Sequence, residues 1–267
     1  MTTHSLAVCE APPELDPGGA EWSALASRFR AARADVALLD EMPFGRWIAA
    51  GSEPDPLILE RSSSVHDAGI ARLDELGAPV VLGTRPVVAG GAALNEGFAW
   101  ERGRGATPVH TKQFFPEEDG YWEARWFARG ETHFRLADCG GLKVGFLICT
   151  EVMFNEWARH YGRLGADLIV VPRVTPRQST RRWRTAVSMA AIVSGCWVAS
   201  SNRGGTDSLG QEFGGAGWIV DPYGDVVAET SAAEPVIAAT MDLSRARAAQ
   251  REYPCYVREL NAGGVLV

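Results

Sequence analysis

The sequence predicts an α/β layered fold, and three of its features do so. Short runs rich in Val, Ile and Leu recur along the whole chain. Several are separated by segments with helical spacing, and residues 80–148 carry strand-like runs and turns without a clear helix. Alternating strands and helices give layers of helix on sheet, the middle stretch adds hairpins, and a four-layer or mixed-sheet sandwich fits the pattern. With 267 residues, 46% of them hydrophobic, the chain is long enough to bury a sizeable core. A single domain over residues 1–267 is expected, because no linker, repeat or low-complexity tract divides them.

Residues 6–8 form the first buried strand. In residues 21–34, Trp22, Leu25, Ala26 and Phe29 follow the i, i+3, i+4, i+7 rule and make the apolar stripe of a helix covering a sheet face. The runs at 36–39 and 80–82 are the next strands, and Gly90-Gly91 marks a turn. Residues 144–148 are a strand running into Cys149, then a short turn at 150–154 and a helix at 155–164. Gly165 closes that helix, since the position after a helix favours a residue free to adopt positive φ. A strand at 168–171 leads to a second amphipathic helix at 179–193, with Trp183, Ala186, Val187, Ala190 and Ala191 on one face. Strands at 197–199 and 218–220 complete the pattern, with Gly204-Gly205 and Gly214-Gly215 read as turns.

Composition narrows the function. The net charge of -7 offers no broad cationic surface for a phosphate backbone or an anionic membrane, so no nucleic-acid and no membrane partner is expected. The basic residues within 173–184 read as a solvated face. No apolar stretch approaches the roughly 20 residues of a membrane span, and the start MTTHSLAVCEAPPELDPGG lacks the features of a secretory signal. A cytoplasmic location is therefore expected. The five cysteines are scattered without a CxxC pair, which suggests neither a disulfide framework nor a metal site. None of the glycine-rich spots has the strand-GxGxxG-helix context of a nucleotide site, so no cofactor is implied.

One cysteine stands apart. Cys149 sits between a buried strand and a helix, where α/β folds present ligand-binding groups and where nearby backbone N–H groups can activate a thiol. On this segment alone, a small buried hydrophobe is an equally good reading. Cys9, Cys139, Cys196 and Cys255 lack a polar follow-on like Thr150-Glu151 and read as buried. A nucleophilic thiol needs a base and an oxyanion donor. Glu41 lies where the run at 36–39 leaves its strand, and Lys112 ends an extended stretch at 107–112. Singly, each reads as an ordinary loop or surface residue.

In combination and in order, these segments resemble the nitrilase-like carbon-nitrogen hydrolase superfamily. LLDEMPF supplies Glu41 and Phe44; PVVLGT, Leu94-Asn95 and VHTK supply the middle pattern with Lys112; and GFLICTEVMFNEWARHYGRLGADLIVVP is close to the family's cysteine signature, including Arg159 and the Gly-Ala-Asp of 165–167. SGCWVASSNRGG and FGGAGWIVDPYGDVVAE are similar to its later strands. The resemblance implies an α-β-β-α sandwich, paired as a homodimer or higher homo-oligomer, with a Glu-Lys-Cys triad of Glu41, Lys112 and Cys149. It also implies an auxiliary carboxylate, Glu123, from the segment Gly120-Tyr121-Trp122-Glu123, with Glu117 and Glu118 as solvated turn residues.

The implied activity is thiol hydrolysis of a small amide or N-carbamoyl compound, with Thr150 and Glu151 as substrate-binding residues and neither metal nor cofactor. Nitrile hydrolysis is the alternative, because a glutamate two residues after the cysteine is more like true nitrilases than amidases. The short segment after Pro172 sets the chain apart from carbamoylases. A catalytically inactive binding or assembly module is the alternative of a different class. His110, two residues before Lys112, is the rival base, whereas His160 reads as surface. The aromatics near these motifs, among them Phe44, Trp47, Phe114, Phe115, Tyr121, Trp122, Trp126 and Phe154, suit either a partly apolar pocket or ordinary core.

Overall fold

A computed structural model describes residues 2–131 and 134–259. The first half contains β1 (Thr3–Ala11), α1 (Ala20–Ala32), β2 (Val36–Leu38), α2 (Pro56–Ile70), β3 (Val80–Ala89), β4 (Ala92–Glu101), β5 (Gly105–Thr111) and α3 (Glu123–Trp126). The second contains β6 (Ala137–Cys139), β7 (Leu142–Phe146), α4 (Asn155–Arg163), β8 (Leu168–Pro172), α5 (Thr180–Ser194), β9 (Trp197–Thr206), β10 (Glu212–Gly214), β11 (Trp218–Val220), β12 (Val226–Glu229), β13 (Val236–Asp242) and α6 (Leu243–Ala249).

The strands form two sheets. One runs β13-β1-β2-β3-β4-β5 and the other β6-β7-β8-β9-β11-β12, with β10 added to β9. The far ends of β1 and β9 meet through Glu10↔Asn202 and Ala11↔Arg203. Alternation along each strand explains why two sheets need four layers. Val36 and Leu38 of β2 and Leu168 and Val170 of β8 point into the space between the sheets, with Val144, Phe146, Trp197 and Ile219. Their neighbours turn outward: Ala37 packs with Trp22, Leu25 and Phe29 of α1, and Ile169 and Val171 pack with Trp183, Val187 and Ala190 of α5. The expected α-β-β-α sandwich is thus the observed architecture.

All four predicted residues of the α1 stripe are buried, and in α5 only Ala186 of the predicted set stays half-buried. Each buried Leu, Val or Phe contributes roughly 1.5–3 kcal/mol. Gly165 follows α4 at φ 75°, as its predicted role requires. The Gly90-Gly91 pair, at φ 59° and 80°, turns β3 into β4, whereas Gly204 and Gly205 lie within β9 and Gly214 ends β10. The helix-free expectation for residues 80–148 is corrected by one turn of helix, α3. Among the described residues, no helix is long and apolar enough to cross a membrane.

Parallel pairing of β1 with β2 and β9, and of β8 with β7 and β9, brings the carboxyl ends of β2 and β7 to the same end of the sandwich. The two antiparallel reversals through β4 return β5 to the direction of β3, so its end joins them.

Candidate active site

Glu41 lies three residues past the end of β2, in a loop wrapped around one buried cation. The Arg203 guanidinium donates to the carbonyls of Pro13 at 2.8 Å, Gly45 at 2.9 Å and Glu41 at 3.4 Å, as well as to that of Met42, and its Nε faces Asp40 Oδ2 at 3.2 Å. Met42, held at φ 47°, donates its N–H to Thr84 Oγ1 at 2.8 Å. The Glu41 carboxylate therefore projects from a loop with little freedom. Its Oε1 accepts from Asn95 Nδ2 at 2.7 Å and from Lys112 Nζ at 2.8 Å, while Oε2 has no hydrogen-bond partner among the described residues.

Lys112 follows β5, its N–H extending the ladder to the Asn95 carbonyl at 2.9 Å. Its ammonium also donates to Glu123 Oε2 at 2.6 Å, and Glu41, Lys112 and Glu123 are all buried. Burial works against a charged lysine, but the Glu123 and Glu41 carboxylates outweigh it and hold the ammonium protonated, above its ordinary range. Glu123 opens α3, and burial raises its pKa to about 8 although Lys112 pulls it down.

Cys149 opens a short 3₁₀ turn, Cys149–Met153, at φ 49°, a conformation that costs a non-glycine residue energy. The sulfur lies 3.9 Å from the Val174 carbonyl. Burial pushes the thiol well above its ordinary pKa, Glu41 pushes it further, and Lys112 draws it back. The resting cysteine is thus neutral and needs a nearby base to be activated.

Cys149 opens on a cavity of about 490 Å³, shared with Thr150, Tyr121 and Glu123. Met153, Val174 and Trp183 add apolar wall, and Glu117, Glu118 and Arg182 line the same space. Of the predicted aromatics only Tyr121 lines it; Phe114 and Phe154 instead stack on each other with centroids 4.1 Å apart. A separate cavity of about 440 Å³ beside Trp47 and Trp126 contains none of Glu41, Lys112 or Cys149.

Several expectations need correction. Thr150 lines the cavity, but Glu151, expected to touch substrate, does not. Its carboxylate is buried and already accepts from the Ile148 N–H at 2.7 Å and the Gln113 N–H at 2.7 Å, and pairs with His110 Nε2 at 2.8 Å. It ties the strand end bearing Lys112 to the one bearing Cys149. His110, the rival base, is engaged in that tie. Glu117 and Glu118 are exposed as expected, yet they belong to the cavity wall. His160 is half-buried and pairs with the Phe134 carbonyl at 2.9 Å.

Arg173 was expected on a solvated face and is fully buried, bonded to Ser200 Oγ at 2.8 Å and Thr175 Oγ1 at 2.7 Å, with its guanidinium 4.0 Å from the Trp218 ring centroid. Asn95, Arg173 and Arg203 were not among the predicted site residues. Asn95 and Arg203 stood within quoted motifs, Leu94-Asn95 and SGCWVASSNRGG, without being assigned a role. Among the described residues, no group of three or more His, Cys, Asp or Glu side chains is arranged to hold a metal ion.

A family model described as carbon-nitrogen hydrolase matches residues 7–251. The chain belongs to the carbon-nitrogen hydrolase family. The chain is 26% identical to a 2-oxoglutaramate amidase of Bacillus subtilis (strain 168) over 161 residues, 55% of this carbon-nitrogen hydrolase and 62% of that protein. It is 31% identical to an (R)-stereoselective amidase of a Pseudomonas species over 113 residues, 42% of this chain and 41% of that protein. The matched region thus spans about half the length of these curated relatives. A carbon-nitrogen hydrolase from Helicobacter pylori G27 shares the fold with a TM-score of 0.84 at 19% identity, over 95% of this chain and 94% of that one.

Proposed function

We propose that this carbon-nitrogen hydrolase cleaves a small amide or N-carbamoyl compound through a thioester on Cys149, with Glu41 as general base, Lys112 as oxyanion-stabilising cation and Glu123 as the carboxylate that holds Lys112. The observation that carries this reading is the buried Glu41–Lys112–Glu123 network beside the cavity that Cys149 lines. Glu41 Oε2, left without a partner, takes the thiol proton as sulfur attacks the carbonyl carbon. Lys112 and the Thr150 N–H stabilise the tetrahedral oxyanion. Collapse breaks the C–N bond, and the proton held by Glu41 goes to the departing ammonia or amine. Water then gives Glu41 its proton and attacks the thioester, which releases the acid and restores the thiol.

The amidases among the relatives support amide hydrolysis over nitrile hydrolysis. Glu151, the residue that suggested a nitrilase, has its carboxylate turned to the strand ends rather than the cavity. An inactive scaffold gives no reason to bury an ammonium between two carboxylates next to a thiol, because such burial stabilises little by itself.

The test is ammonia release from a panel of carboxamides, N-carbamoyl compounds and nitriles, by wild type and Cys149→Ala. Turnover of amides or N-carbamoyl compounds that disappears in the variant supports the reading. Turnover confined to nitriles, or retained without the thiol, overturns it.

A further inference from the structure

Of the polar groups in the cavity wall that the proposed mechanism does not use, the Tyr121 hydroxyl is buried without a hydrogen-bond partner among the described residues. The residue is 8% exposed. The Gln211 amide lies near enough to ease the phenol's pKa downward, but it donates to the Gly120 carbonyl at 3.5 Å and does not meet the hydroxyl in hydrogen-bond geometry.

Tyr121 is held firmly nonetheless. Its N–H donates to the Glu118 carbonyl at 2.8 Å, its carbonyl accepts from the Glu118 N–H at 3.3 Å, and its ring packs against Trp47 with centroids 6.3 Å apart. Tyr161 Oη donates to the Phe146 carbonyl at 3.0 Å and Trp47 Nε1 to the Gly120 carbonyl at 3.0 Å, while Trp157 Nε1 and Trp218 Nε1 lack a partner among the described residues but do not line the cavity of Cys149. A buried hydroxyl without a partner costs about 1–3 kcal/mol, and phenylalanine avoids that cost with the same ring. A hydroxyl retained at a rigid position in the wall of a catalytic cavity is best explained by a partner that arrives with the substrate.

We infer that Tyr121 is a substrate-contacting residue whose hydroxyl hydrogen-bonds the reacting amide group beside Cys149. This rests on the reading of Cys149 as the nucleophile. Burial above all raises the phenol above its ordinary pKa, so it meets the substrate as a neutral O–H donor. Because the contact is to the reacting group, it serves every amide the enzyme accepts, whatever the acyl chain.

The test compares Tyr121→Phe with wild type and Cys149→Ala, measuring steady-state ammonia release on at least two amides with different acyl chains, together with thermal unfolding. The expected result is a fall in kcat/KM of at least about tenfold on each amide, toward the ~100-fold typical of losing one transition-state donor, with the melting temperature unchanged or raised. A loss below about tenfold, a loss confined to one acyl chain, or a lowered melting temperature overturns the inference. Cys149→Ala separates the two claims. If it stays active, the nucleophile assignment fails; if it is dead while Tyr121→Phe keeps full activity, only the role of Tyr121 fails.

Discussion

Replacing Lys112 with Met probes the charge balance on which the proposed site depends. The ammonium is fully buried, 2.8 Å from Glu41 Oε1 and 2.6 Å from Glu123 Oε2. Removing it leaves two carboxylates facing each other with no cation between them. Burial raises the Glu123 carboxyl against the pull of Lys112, so without the cation Glu123 is neutral at pH 7 and the remaining Glu41 charge keeps only the Asn95 amide. Breaking a buried pair from one side costs about 3–5 kcal/mol, because the partner's charge stays uncompensated. Adding Glu41→Gln removes that charge, so the double variant Lys112→Met/Glu41→Gln should recover about 2 kcal/mol over the single one. Urea unfolding at pH 7 followed by tryptophan fluorescence measures both. A loss below about 1 kcal/mol for Lys112→Met, or a double variant less stable than the single, refutes the reasoning.

Two further outcomes are expected. Glu41→Gln keeps an oxygen for Lys112 and Asn95 but cannot take the thiol proton, so kcat for ammonia release should fall about 10²–10⁴-fold; activity within tenfold of wild type contradicts its role as base. His66 is buried, pairs through Nδ1 with the Ser62 carbonyl at 2.7 Å, accepts from the Phe44 N–H at 3.4 Å, and has a pKa lowered by burial from 6.5 to about 4. The unfolded chain binds the extra proton first, so this stability is complete above pH ~6.5 and is lost as pH falls toward ~4, by about 3 kcal/mol. His66→Gln should remove that part of the pH dependence in urea unfolding, and parallel profiles for variant and wild type would count against it.

The parts of the fold legible in the sequence are those whose burial leaves a periodic apolar trace. Residues 21–34 and 179–193 show a stripe, and α1 and α5 occupy nearly those spans. Helix α2 left no such trace because its buried residues are Ser62, His66 and Gly69. Gly69 is there for space: a Cβ would stand 2.3 Å from the Phe44 ring. The Asp55-Pro56 start, with Asp55 accepting from the Leu57 N–H at 2.8 Å, was its readable signal. Strand β13 passed unnoticed because most of it is half-buried, and α6 because it is short.

Within the candidate site, Glu41, Lys112 and Cys149 each follow a strand, a position that singly reads as ordinary loop, surface or core; only their flanking motifs, taken together and in order, singled them out. Glu151 was misread because its task depends on the 3₁₀ turn, which aims its oxygens at backbone N–H groups on two strand ends rather than at the cavity. Arg173 and Arg203 were not recognised as buried for a related reason. An arginine satisfied by carbonyls and hydroxyls scattered along the chain leaves no local pattern, and its neighbours resemble an ordinary strand end.

The most direct test of the proposed mechanism is mass spectrometry of the acid-quenched enzyme during turnover of an amide substrate. The account predicts an adduct equal to the acyl group, mapped to the peptide bearing Cys149, present in wild type and absent from Cys149→Ala. An adduct on another residue, or turnover in Cys149→Ala without any adduct, would contradict it.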